Sequence, residues 1–123
     1  MILGNVNAAR EAVVQIVVLN ENKQTRLISA VVDTGYTGDL MLPRNVAESL
    51  QLSLREVQEA TLGNNTVAEF ELYSGLVIWD GKIKRIEMNA SQDSALVGMG
   101  LIDGFKLEIE GKLGDQVRIT ALT

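Results

Sequence analysis

The chain has 123 residues, of which 46% are hydrophobic and 22% are charged, and its formal net charge is −5. That length and composition predict one globular domain, residues 1–123, and the negative charge counts against a nucleic-acid partner. Because the chain contains no cysteine and no histidine, it can form no disulfide, no thiolate or imidazole metal site, and no catalytic pair built on histidine.

The first predicted elements are a β-hairpin and a helix. Two β-branched, apolar runs, Ala12–Leu19 and Thr25–Val32, are separated by a short polar segment, a pattern typical of paired strands. Pro43 then precedes Arg44–Leu50, and its fixed backbone angle suits the entrance of a helix. The apolar positions of that segment are spaced for one buried face.

Strands dominate the rest of the chain. The Gly-Asn-Asn of residues 63–65 and the Asp-Gly of residues 80–81 are turn signals between apolar runs, and a short helical turn is predicted near residues 99–103. The further predicted strands are Val57–Leu62, Val67–Trp79, 82–88, Ala95–Val97, Phe105–Glu110 and Val117–Thr120. Many short strands with a single clear helix predict an all-β protein, either a compact barrel or a sandwich.

No segment is predicted to enter a membrane. The apolar runs, such as Ala12–Leu19, are far shorter than the roughly 20 residues of a membrane helix. The first residues lack the basic start and apolar run of a signal peptide. We therefore expect a cytoplasmic protein without a membrane partner.

The stretch AVVDTGYTGDLMLP, residues 30–43, is the candidate for chemistry. Its apolar strand ends at Asp33, so a carboxylate is expected to be partly desolvated and held in a glycine turn. A dehalogenase-type phosphatase loop would need a second Asp where Gly35 stands, and the Gly-rich phosphate loop of a GTPase and the ligand spacing of an EF-hand are absent. An ordinary Asp-Gly surface turn also fits these residues.

Two segments together resemble a known family. The apolar-apolar-Asp-Thr-Gly of Val31–Gly35 is followed about 60 residues later by Leu96-Val97-Gly98, and this pair is similar to the motifs of retropepsin-like aspartic peptidases, in particular the short stand-alone bacterial type. The resemblance implies a closed β-barrel with one short helix, a single lobe that pairs as a homodimer. It also implies hydrolysis of peptide or protein substrates without a metal or cofactor.

The resemblance implies a role for each matching residue. A water would be activated by two Asp33 carboxylates, one from each subunit, which share one proton. The other implied site residues are Thr34, Gly35 and Gly98, which support the catalytic loop, and Gly63, Asn64 and Asn65, which form the flap over the substrate. The strand at Val117–Thr120 is expected to add an edge between the subunits.

Two residues and the flap depart from the family pattern and leave other functions open. The implied flap is poorer in glycine than a viral flap. Gly100 stands where the family usually has Asp or Asn, so a supporting hydrogen bond is lost or replaced, and Tyr36 stands where viral members commonly have Ala. One alternative is a non-catalytic dimeric peptide-binding or assembly module on the same fold. Another is an unrelated small β-barrel interaction domain with Asp33 in a surface turn.

Overall fold

The structure, a computed structural model, describes residues Met1–Thr123 as ten strands and two short helices. Neither helix is long and apolar enough to cross a membrane. The elements in chain order are β1 (Ile2–Val6), β2 (Ala12–Leu19), β3 (Thr25–Val32), β4 (Leu40–Pro43), α1 (Arg44–Ser49), β5 (Ser53–Thr61), β6 (Val67–Trp79), β7 (Lys82–Ser91), β8 (Leu96–Val97), α2 (Met99–Ile102), β9 (Phe105–Ile109) and β10 (Gln116–Ala121).

Alternation in β2 shows why these residues form strands. Its even-numbered side chains, from Ala12 to Val18, are buried, whereas Gln15 on the other face is exposed. The strand pairs with β3 in antiparallel register, with Val14 opposite Ala30. The predicted bounds of β2, β3 and β6 are confirmed, as is the Asp80-Gly81 hairpin, where both residues have the positive φ of a type I′ turn.

The strands form one extensively paired sheet. Its order is β5-β6-β7-β4-β8-β3-β2-β1-β10-β9, and β6 also pairs with β2. The pairings from β6 through β7, β4, β8, β3 and β2 therefore return to β6. One cluster of 22 buried residues fills the interior and includes residues of both helices. This arrangement fixes the carboxyl end of β3, where Asp33 begins the next loop.

Three features differ from the sequence expectations. Strands β1 and β4 lie where no strand is predicted, and β5 begins at Ser53 rather than Val57. The expectation that Val117–Thr120 offers an edge between subunits is wrong, because β10 pairs with β1 on one side and with β9 on the other. Strand β9, which pairs only with β10, is the edge strand at this end of the sheet.

Candidate active site

Asp33 is fixed by backbone contacts at the end of β3. Val31 and Val32 pair in parallel with Leu96 and Val97 of β8. The Asp33 amide then donates to the Val97 carbonyl at 2.9 Å, and the Gly35 amide donates to Asp33 Oδ1 at 2.8 Å. One oxygen of the half-buried carboxylate is thus held by the loop itself, and the other is left for a ligand or a proton.

An open cavity of about 680 Å³ contains Asp33 and Thr34. Its other walls include the loop after β1, with Arg10, the last residue of β9, Ile109, and the segment after β9, with Leu113. Thr34 is exposed, and its hydroxyl makes no hydrogen bond within the chain. The cavity therefore has an apolar wall, a carboxylate and an unused hydroxyl.

The residues from Asp33 to Asp39, which we name the Asp33 loop, are supported from beneath by three successive backbone amides. The amides of Gly98, Met99 and Gly100 donate to the carbonyls of Asp39, Tyr36 and Gly38 at 3.0, 2.8 and 3.0 Å. The hydrogen bond expected from a side chain at position 100 is thus replaced by main-chain bonds.

Both glycines of this support lie too close to the Asp33 loop to carry a side chain. A Cβ atom on Gly98 would overlap the carbonyl oxygen of Gly38 and the ring of Tyr36. A Cβ atom on Gly100 would overlap Oδ1 of Asp39. A side chain at position 100 would therefore need Asp39 to move, and its Cβ atom would lie 3.0 Å from the Gly38 carbonyl.

Replacing Gly98 with alanine is expected to lower the free energy of unfolding by about 2–3 kcal/mol, because the added methyl group meets a backbone carbonyl that cannot move aside. Gly111→Ala is the matched control, since a Cβ atom there would meet nothing within 4 Å. Urea denaturation of both variants measures the difference. Equal stability of the two variants would contradict the packing described here.

Tyr36 adds a side-chain contact between the Asp33 loop and β7. Its hydroxyl lies 2.5 Å from Asn89 Oδ1 and 3.3 Å from the Leu40 carbonyl oxygen. Burial, and then the nearby charge of Asp39, raise the pKa of Tyr36 to about 12. The hydroxyl therefore remains protonated and donates. The sequence could indicate Tyr36 as a site residue, because it directly follows Asp-Thr-Gly, but nothing in the sequence indicates Asn89.

The predicted flap residues lie at the tip of the hairpin formed by β5 and β6. Gly63, Asn64 and Asn65 are exposed, and Asn65 has the positive φ that the turn needs. The Asn64 side chain accepts hydrogen bonds from the amide and hydroxyl of Thr66. In a single chain this tip is not part of the cavity that contains Asp33. The structure thus brings together Asp33, Thr34, Gly35 and Gly98, but not the flap.

One comparison with known proteins identifies the fold. A crystal structure of a retropepsin-like aspartic protease from Rickettsia conorii matches with a TM-score of 0.60 and 24% sequence identity, over 98% of this chain and 91% of that one. The chain has a retropepsin-like fold. No protein-family model and no curated protein matches it. The resemblance predicted from Val31–Gly35 and Leu96–Gly98 is therefore confirmed for the retropepsin-like fold.

Proposed function

We propose that this protein is an aspartic endopeptidase that acts as a homodimer, with Asp33 from each subunit at a shared site. One observation carries the proposal: in a retropepsin-like fold, the backbone of β8 holds the Asp33 amide and the Gly35 amide holds the Asp33 carboxylate at the wall of an open cavity. The chemistry uses two carboxylates that share one proton. No metal or cofactor takes part in it.

The two carboxylates would have opposite tasks. The ionised Asp33 takes a proton from water, whose oxygen attacks the carbonyl carbon, while the protonated one gives its proton to the carbonyl oxygen. The carbon–nitrogen bond then breaks as the first carboxyl gives the proton taken from water to the leaving amine. The other carboxylate takes back the proton from the intermediate's hydroxyl, which restores the shared proton. Within one chain, the other acid lining the cavity is Glu11, whose Oε1 accepts a hydrogen bond from Asn7 at 3.1 Å. A second Asp33 must therefore come from a second copy.

The neighbouring residues would assist without reacting. Thr34, whose hydroxyl is unused in one chain, would donate across the two-fold axis to the other subunit's loop. Gly35 keeps the loop close to the carboxylate, since a Cβ atom there would lie 3.2 Å from Asp33 Oδ1. Gly98 lies beneath the Asp33 loop. The hairpin tip with Gly63, Asn64 and Asn65 would close over a bound peptide in the dimer.

The edge of β9 is the surface that we propose for pairing. Amides of Glu110 and Leu122 bond to carbonyls of Gln116 and Gly104 between β9 and β10, and the hydrogen-bonding direction alternates along an antiparallel strand. The backbone groups of Phe105, Leu107 and Ile109 therefore point away from β10. Ile109 also lines the cavity that contains Asp33, so a second copy on this edge would lie next to the carboxylate.

The charges of β9 fit a second copy of the same strand. Antiparallel pairing centred on Leu107 places Lys106 opposite Glu108 of the partner subunit, and the two-fold axis repeats this pair. Phe105 then lies opposite Ile109 of the partner subunit. Opposite charges and apolar residues that face each other across strands are favourable pairs. The sequence of β9 is thus complementary to itself.

Broader expectations belong to the same proposal. The single core cluster supports one domain over residues 1–123, and the ring of strand pairings from β6 back to β6 supports a closed barrel. The cytoplasmic location stays a prediction. The non-catalytic binding module rests on Gly100 and on a flap that is poorer in glycine than a viral flap. The backbone bonds beneath the Asp33 loop count against the first motive, and the flap keeps the module as the alternative.

A mixture of diverse peptides, incubated from pH 3 to pH 7, tests the activity. We expect cleavage at internal peptide bonds. Cleavage should stop when an inhibitor peptide is added in which a tetrahedral carbon bearing a hydroxyl group stands in place of the scissile amide, because that carbon resembles the intermediate of water addition. Mass spectrometry of the products reads out the cleavage sites. Binding of the hydroxyl peptide without any cleavage of the mixture would instead favour the binding module.

A further inference from the structure

Tyr36 connects the Asp33 loop to β7, the strand that pairs with β6 of the flap hairpin, and is not itself part of the cavity. We propose that Tyr36 is a positioning residue, which holds the Asp33 loop in its working geometry through its ring and through the hydrogen bond to Asn89. The inference rests on the proposed peptidase function. It adds a side-chain restraint, through Tyr36 and Asn89, to the main-chain bonds that support the loop from beneath.

The ring of Tyr36 is wedged between two glycines. A Cβ atom on Gly38 or on Gly98 would overlap atoms of this ring, so the space beside both glycines is occupied by the tyrosine. Gly38 belongs to the Asp33 loop, and Gly98 follows β8. The ring therefore fixes the distance between the loop and the strand end that supports it.

The hydroxyl of Tyr36 bonds the Asp33 loop to β7. It lies 2.5 Å from Oδ1 of Asn89, a residue of β7 that pairs with Leu72 of β6. Because the pKa of Tyr36, about 12, lies far above the pH range of the peptide assay, the hydroxyl donates throughout that range. The Asp33 loop is thus tied by one side-chain bond to the strand next to the flap hairpin.

The backbone of Tyr36 transmits this restraint to Asp33. Its amide donates to the Asp33 carbonyl at 3.1 Å, and its carbonyl accepts from Met99 at 2.8 Å. A loop that tilts about Tyr36 would move the Asp33 carboxylate relative to its partner across the dimer. Misplacement of about 1 Å is enough to slow a reaction about 100-fold.

Tyr36→Phe and Asn89→Ala, separately and together, test the proposal. Each single variant is expected to lower kcat by about tenfold with KM within about twofold of wild type, since the loop geometry changes but the substrate surface does not. The double variant is expected to be no slower than either single one, because both remove the same bond. The proposal would be overturned if the losses of kcat in the two single variants multiplied in the double variant, or if Tyr36→Phe had the kcat of the wild type.

Asn20→Ala is the structural control. Asn20 is a buried carboxamide that donates to the Leu50 carbonyl at 2.9 Å, so its loss should lower the Tm but leave kcat unchanged. If the wild type cleaves no peptide, the proposed function fails separately, and amide hydrogen exchange at Met99 and Gly100 decides the role of Tyr36. Exchange about tenfold faster in Tyr36→Phe supports the restraint, and unchanged exchange overturns it.

Discussion

Asp33→Asn is expected to lower kcat for peptide cleavage by about 10³-fold or more, because an amide can neither take the proton from water nor return it. The substitution keeps the shape of the side chain, and its oxygen can still accept the Gly35 amide that now bonds to Asp33 Oδ1. The chain should therefore remain folded. Initial rates on the peptides found in the mixture measure the loss.

Self-association of the same variant separates catalysis from assembly. Two carboxylates at one site repel each other unless they share a proton, so the amide should leave the dimer at least as stable as the wild type. Sedimentation of the two proteins measures this. Asp103→Asn is the matched control, since Asp103 is exposed at the end of α2 and should keep the full rate. Cleavage by Asp33→Asn at the wild-type rate would exclude Asp33 as the catalytic acid.

Local patterns explain which strands could be predicted. Strands β2, β3 and β6 are runs rich in apolar and β-branched residues with polar or turn residues at both ends, so the sequence itself marks their bounds. Strand β4 has four residues, ends on a proline, and exists because Leu40 pairs with Met88 and with Val97. Those partners are distant in sequence, and no local signal announces such a strand.

The same reasoning separates the predictable part of the site from the rest. Asp33, Thr34 and Gly35 are contiguous, and the strand that supports them carries the short motif Leu96-Val97-Gly98. The sequence therefore predicts that these residues lie together. The bond between Tyr36 and Asn89 joins residues 53 positions apart. The loss of a side chain at Gly100 is visible in the sequence, but the backbone amides that replace it are not.

The choice between β9 and β10 as the edge strand also depends on distant contacts. Both strands alternate apolar and polar residues, so either could be the outer one by pattern alone. The pairing of β1 with β10, which sets Gly4 opposite Val117, places β10 inside and leaves β9 outside. A Cβ atom on Gly4 would overlap the Val13 carbonyl of β2, so this interior position of β1 depends on a glycine.

Leu107→Pro is expected to separate the subunits and to remove most of the activity at micromolar concentration. In the pairing centred on Leu107, the Leu107 amide of each subunit donates to the Leu107 carbonyl of the other, which makes two hydrogen bonds. Proline has no N–H to donate, so both are lost. Two lost hydrogen bonds of about 1 kcal/mol each, together with the clash of the ring, raise the dimer Kd by about 100-fold. The bonds to β10 are kept, because the Leu107 amide points away from that strand, and edge strands tolerate such a proline. Sedimentation and the dependence of the cleavage rate on protein concentration measure the effect.

Charge reversal tests the same pairing without changing the backbone. Lys106→Glu would set two glutamates opposite each other at both symmetric positions, which should raise the dimer Kd by about tenfold. Adding Glu108→Lys restores opposite charges across the two-fold axis, so the double variant should pair more tightly than the single one. Within the chain the double variant exchanges the charges of the Lys106–Glu108 pair, whose charged atoms lie 3.7 Å apart, and places a lysine near Arg118, which now lies 3.6 Å from Glu108. The Tm of each variant therefore separates changes in subunit stability from changes in pairing. A double variant that pairs no better than Lys106→Glu, or a Leu107→Pro chain that stays dimeric, would show that the subunits meet at another surface.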